Sequence, residues 1–314
     1  MYETMEMRAV LAGLLKEEMR RDETVMVLDA DLARANGTLG LQQEFPERAL
    51  DVGIAEANMA CIAAGLSSYG FKPFIFSFCP FVTRRICDQA AISIAYAKRN
   101  VKIVGTDPGI SAELNGGTHM SVEDVGVMRS IPGMVIFEPV DGDQLAKAMP
   151  EIFAYEGPVY IRLFRKAPAQ SYFTDPEYRF QLMKADVMRA GTDVTLFATG
   201  IEAGEAMKAA ALLEKEGTSA EVINVHTLKP VDTETAIASV RKTGCAVSCE
   251  NHNVVGGLGS ALAEAFAREY PVPMEYIGIQ DHFGEVGRMP FLMEKFRMRA
   301  EDIAAAAKKV IAKK

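Results

Sequence analysis

Apolar residues recur along the chain in two rhythms. Over residues 3–21 they fall three and four apart, which predicts an amphipathic helix. The apolar runs that follow are short and rich in β-branched and aromatic residues: VMVLDAD (25–31), ALDVG (49–53), PFIFSF (73–78), VKIVGTD (101–107), MVIFEP (134–139) and VYIRLF (159–164). Helical stretches separate them, including 82–98 and 142–155. Short apolar strands between helices predict a parallel sheet covered on both faces.

Residues 166–190 break the alternation. KAPAQSYFTDPEYRF is rich in Pro, Ser, Asp and aromatics and reads as a linker. From Gly191 the rhythm returns: DVTLFATG (193–200), a helix to Gly217, AEVINV (220–225), a helix from Asp232, CAVSCE (245–250), a helix from Gly259, MEYIGI (274–279) and a last helix ending in lysines. The fold class is therefore α/β, with two parallel-sheet domains expected at 1–168 and 191–314 and a linker at 169–190.

Composition narrows the function. A net charge of -8 shows no basic stripe for a nucleic-acid partner. No apolar run approaches the roughly 18 residues that span a membrane. The N-terminus lacks the basic start of a signal peptide. Five cysteines without a framework spacing fit a reducing cytoplasm. Cys245 and Cys249 share a strand face and read as core residues, since no nearby His or CxxC completes a metal site.

The residue out of place is Glu56, in DVGIAEANMACIAAG (51–65). The helix it begins is apolar nearly all round and is expected to be buried. A carboxylate there needs either a partner or a use for the raised pKa that burial brings. Other candidate chemistry lies at strand ends. His119 sits in ELNGGTHM (113–120), beside what reads as a flexible Gly116-Gly117 pair, and is either a hydrogen-bonded loop residue or a functional one. Phe74, Phe76 and Phe78 alternate and can fill a sheet face, whereas Phe78 and Phe81, at the strand end, can also hold a flat heterocycle. Arg162 and Arg165 pair with carboxylates or grip a phosphate. GGLGS (256–260) is read as a tight turn into a helix, with anion binding at the helix N-terminus as the alternative.

In order along the chain, DVGIAEANMACIAAGLSSYGFKPFIFSF, RICDQ, GISAELNGGTH, VMRSIPGMVIFEPVD and GPVYIRLFR resemble the pyrimidine-binding domain of transketolases. Deoxyxylulose-phosphate synthases and, more loosely, pyruvate dehydrogenase beta subunits share that order. GTDVTLFATG, VINVHTLKPVD and GGLGSALAEA resemble the C-terminal domain of the same family.

The resemblance implies roles. Glu56 would hydrogen-bond N1′ of the aminopyrimidine of thiamine diphosphate, and Phe78 and Phe81 would pack on that ring. His119 would contact substrate oxygens. Arg165 would bind a substrate phosphate, and Asp31, in LDADL, would lie near the cofactor. Three positions depart from the usual pattern: Asn115 replaces an aspartate tied to donor stereochemistry, Arg84 replaces a tyrosine, and Ala35 replaces a phosphate-binding serine.

The family holds the diphosphate and Mg²⁺ with a GDG…N motif on a separate domain, and VDGDQ (140–144) does not supply it. The resemblance therefore implies one subunit of a split transketolase. An N-terminal subunit would carry GDG…N and Mg²⁺, the chain would self-associate into a dimer core, a two-plus-two heterotetramer would form, and sugar phosphates would be the substrates. A 2-oxo acid dehydrogenase beta subunit and a non-catalytic interaction subunit are the competing expectations.

Overall fold

A computed structural model describes residues 2–314. The chain divides into two compact units. The first runs to Pro108 and resumes over Val127–Leu182; the second combines Gly109–Gly126 with Met183–Lys314.

In the first unit six parallel strands form a sheet: β1 (Val25–Asp29), β2 (Ala49–Asp51), β3 (Lys72–Phe78), β4 (Lys102–Thr106), β5 (Val135–Phe137) and β6 (Val159–Leu163). Their spatial order is β5-β6-β4-β3-β1-β2. The residues of β1, β4, β5 and β6 are all buried, as expected of strands covered by helices on both faces. Helix Met7–Arg21 packs on helix Gly142–Ala154, and helix Glu56–Ser68 packs on β3. Phe74, Phe76, Ile103 and Tyr160 fill the core between them.

The single helix expected over 82–98 is instead two pieces. Cys79–Val82 makes one turn, opened by Pro80, and a π-helix follows at Gln89–Tyr96. Between them Thr83 leaves the helical region, at φ -125° and ψ -81°. Its hydroxyl donates to the Cys79 carbonyl at 2.6 Å and closes the short turn.

The second unit is built on β7 (Asp186–Arg189), β8 (Val194–Ala198), β9 (Ala220–Asn224), β11 (Ala246–Asn253) and β12 (Met274–Ile279), with the short strand β10 at Thr227–Lys229. The five-stranded order is β12-β11-β8-β9-β7, parallel except for β7, which runs antiparallel on β9. Strand β7 falls inside the 169–190 segment and is a half-exposed edge, so apolar periodicity gave no sign of it. Helix Ala300–Ile311 packs on helix Glu202–Lys215. Cys245 and Cys249 are buried and free. Among the described residues no helix is long and apolar enough to cross a membrane.

Candidate active site

In a parallel α/β sheet, ligands bind where the carboxyl ends of the strands meet their loops. That edge of the first unit carries a linked row of side chains. Glu56 follows β2 and is the first residue of its helix, where the helix dipole favours a negative charge. Its side chain is 5% exposed. Arg85 Nη1 lies 2.6 Å from Glu56 Oε1. The Arg85 guanidinium also lies over the Phe81 ring, 4.0 Å from its centroid. Phe81 meets Phe78 at 6.3 Å between centroids, with the rings tilted by 51°. Phe78 receives the guanidinium of Arg165 at 5.4 Å, and Arg165 Nε lies 2.7 Å from Asp107 Oδ2.

Short elements aim these groups. Phe78 ends β3, and the turn opened by Pro80 brings Phe81 back beside it. The Arg85 amide donates to the Pro80 carbonyl at 3.2 Å, so the same turn sets its position. Asp107 directly follows β4 with φ 55°, a left-handed conformation that turns the chain out of the sheet. Asp31 follows β1, is exposed, has φ 59°, and its amide donates to Asp51 Oδ1 at 3.0 Å.

A buried polar network supports this edge. Asn36 Nδ2 donates to Asp29 Oδ1 at 2.6 Å, and the Thr38 hydroxyl donates to Asp29 Oδ2. Asn36 Oδ1 accepts from the Thr106 hydroxyl at 2.9 Å, which ties β1 to β4. Burial pushes the Asp29 carboxyl up from 3.8 to about 6, against the lowering effect of the Thr38 and Asn36 hydrogen bonds. Arg162 does not face a ligand: its guanidinium is fully buried and pairs with Glu138 at 2.6 Å.

The helix of Glu56 is not buried all round. Met59, Ala60, Ala63 and Ala64 face the core, while Cys61 and Gly65 are exposed. Ile54 and Tyr69, at the two ends of this stretch, are 75% and 86% exposed. On the π-helix packed against it, Ile92 and Tyr96 are exposed as well.

Asn115 and His119 belong to the second unit. Asn115 is exposed, and His119 is half-buried with Nδ1 2.9 Å from the Thr118 hydroxyl. Their loop is pinned at its base. The Ile110 amide donates to Asn251 Oδ1 at 2.9 Å, and the Gly126 amide lies 3.4 Å from His252 Nε2. His252 Nδ1 meets the Asn253 carbonyl at 2.7 Å, so Nδ1 carries the proton and Nε2 accepts. The glycine pair before His119 has a packing reason: a Cβ on Gly117 would lie 2.3 Å from the Gly284 carbonyl oxygen.

The GGLGS segment is the tight turn, and its anion comes from within. Glu250 accepts from the amides of Leu258 (2.6 Å) and Gly259 (2.9 Å) at the start of helix Leu258–Glu269. A Cβ on Gly257 would fall 1.9 Å from Glu250 Oε2, so only glycine lets the carboxylate in.

Sequence reasoning missed Arg85, Asp107 and Glu250. Arg85 had a signal: it stands four residues past Phe81, in the loop after the β3 aromatics, next to Arg84. Asp107 closes VKIVGTD and could have been matched to the strand-end arginines, while nothing before folding connects Glu250 to amides eight residues on.

Known proteins resemble the chain over nearly all its length. The family profile "Transketolase, pyrimidine binding domain" matches residues 3–170, and "Transketolase, C-terminal domain" matches residues 183–303. The 6-deoxy-6-sulfo-D-fructose transketolase subunit SqwH of Clostridium sp. (strain MSTE9) is 50% identical over 98% of this chain and 95% of its own length. An apulose-4-phosphate transketolase subunit of Phocaeicola vulgatus is 34% identical over 98% of this chain and 97% of its own length. A solved structure described as a split gene transketolase, inactive beta4 tetramer, superposes with a TM-score of 0.88 at 39% identity, covering 98% of both chains.

Proposed function

The chain belongs to the transketolase family, and we propose that it is the pyrimidine-binding subunit of a two-chain enzyme that moves a two-carbon ketol unit between a ketose and an aldose. The observation that carries this reading is the buried Glu56 carboxylate, linked through Arg85 to Phe81 and Phe78 at the carboxyl edge of a parallel sheet. These residues fit the aminopyrimidine of thiamine diphosphate: an aromatic pair for its faces and a water-shielded carboxyl for its ring nitrogen.

When bound, thiamine diphosphate supplies the electron sink for breaking the bond beside a ketose carbonyl. The chain's own residues position and protect. Glu56 would share a proton with the ring nitrogen N1′, near the aromatic rings of Phe78 and Phe81. Arg165 would offer a guanidinium to an anionic group on the sugar. His119 and Asn115, on a loop of the second unit, are carried over from the family resemblance as residues for substrate oxygens. Asp31, on the loop after β1, would lie near the cofactor.

The second polypeptide brings the diphosphate and Mg²⁺ through a GDG…N motif. The exposed apolar residues Ile54, Tyr69, Ile92 and Tyr96 supply a surface for assembly with a second copy and that subunit. The relative solved as an inactive beta4 tetramer supports the view that such a chain is silent alone. Five free cysteines favour a reducing cytoplasm as the working compartment.

For the donor we propose a ketose carrying a terminal anion, with 6-deoxy-6-sulfo-D-fructose ahead of sugar phosphates. The support is 50% identity to a transketolase subunit named for that sugar. The test is a ketol-transfer assay on the reconstituted pair, with thiamine diphosphate and Mg²⁺, offering the sulfonate and fructose 6-phosphate in turn. Turnover of the sulfonate at the higher kcat/KM is expected. Decarboxylation of a 2-oxo acid with no ketol transfer would replace this reading with the dehydrogenase one.

A further inference from the structure

Arg85 makes two contacts with one group. Its Nη1 donates to Glu56 Oε1 at 2.6 Å, and its guanidinium carbon lies 4.0 Å from the centroid of Phe81. A guanidinium is flat, delocalised and edged with N–H donors. It therefore gives Glu56 and Phe81 what an aminopyrimidine would give them: an edge hydrogen bond for the carboxyl and a face for the aromatic ring. The two cannot occupy that place together.

Resting on the cofactor reading above, we propose that Arg85 is a place-holder for the pyrimidine, and that cofactor binding exchanges the partner of Glu56 from Arg85 to the ring. The burial pattern sets which partner moves. The Glu56 side chain is 5% exposed and fixed in the first turn of a helix, whereas the Arg85 side chain is 46% exposed on a turn. A change of side-chain rotamer carries the guanidinium into solvent without moving the backbone. The exchange also accounts for a buried carboxylate in a chain without cofactor. Glu56 is the desolvated partner, so without Arg85 its carboxylate has no counter-charge, and Arg85 supports the fold until the ring takes over.

A site filled by its own side chain binds ligand with an affinity reduced by the fraction of molecules in which that side chain is out. If Arg85 is out about one time in ten, removing it tightens binding about tenfold. The experiment is calorimetric titration of thiamine diphosphate, with Mg²⁺, into the reconstituted two-chain complex. Wild type is compared with Arg85→Met and Arg85→Lys, and the melting temperature of each free chain is measured without cofactor. Arg85→Met is expected to bind about tenfold more tightly and to melt at a lower temperature. Arg85→Lys keeps a charge for Glu56 but no flat face for Phe81; it is expected to bind more tightly than wild type while melting near it. Unchanged or weaker binding in both variants overturns the proposal. A wild-type complex that binds no thiamine diphosphate overturns the cofactor reading, and the Arg85 proposal with it.

Discussion

Arg165 Nε sits 2.7 Å from Asp107 Oδ2, joining the end of β6 to the end of β4. The Arg165 side chain is 19% exposed and that of Asp107 is 2% exposed, so the carboxylate holds the guanidinium at the site's rim. Arg165 Nη1 also donates to the Ala35 carbonyl at 3.3 Å, so Nη2 is the donor left for a second anion.

Arg165→Met in the reconstituted enzyme is expected to raise KM for the anionic ketose. Hydrogen bonds to charged groups are worth about 1.5–3 kcal/mol, so a rise of about 10- to 150-fold follows. The change in kcat should be smaller. Steady-state kinetics with a charged and an uncharged ketose check this, since the uncharged sugar should lose little.

Glu138→Ala is expected to destabilise the chain by about 3–5 kcal/mol, because it leaves the fully buried Arg162 guanidinium without its carboxylate. Urea denaturation of the free chain reads the loss.

Asp29 makes stability depend on pH. Its carboxyl is raised from 3.8 to about 6 in the fold, so between these values the folded chain binds the extra proton. Stability from this group is then full below about pH 4 and falls as pH rises to about 6. The rise corresponds to about 3 kcal/mol. Denaturation of wild type and Asp29→Asn across pH 4–7 tests it, and the difference in their slopes should lie in that window.

Much of this was legible before folding, for a physical reason. Strands buried on both faces are continuous apolar runs, so PFIFSF, VKIVGTD and VYIRLF marked the central sheet. Strand β7 escaped because a half-exposed edge needs no apolar pattern. Glu56 was legible as a charge in an apolar run; its partner was not, because Arg85 reaches it across a gap of 29 residues through a turn that looked like continuous helix. The exposed face of the Glu56 helix was hidden for the opposite reason: Ile54 and Tyr69 are apolar yet exposed, so composition alone pointed inward.

In the proposed function Glu56 works on a cofactor completed by another chain. Glu56→Ala, assembled with the partner subunit, thiamine diphosphate and Mg²⁺, measures it most directly. Positioned proton transfer contributes about 10²–10⁴-fold to a rate. Ketol transfer is expected to fall by that order while the variant still assembles with its partner. A Glu56→Ala enzyme with full ketol-transfer activity would rule out that role for Glu56.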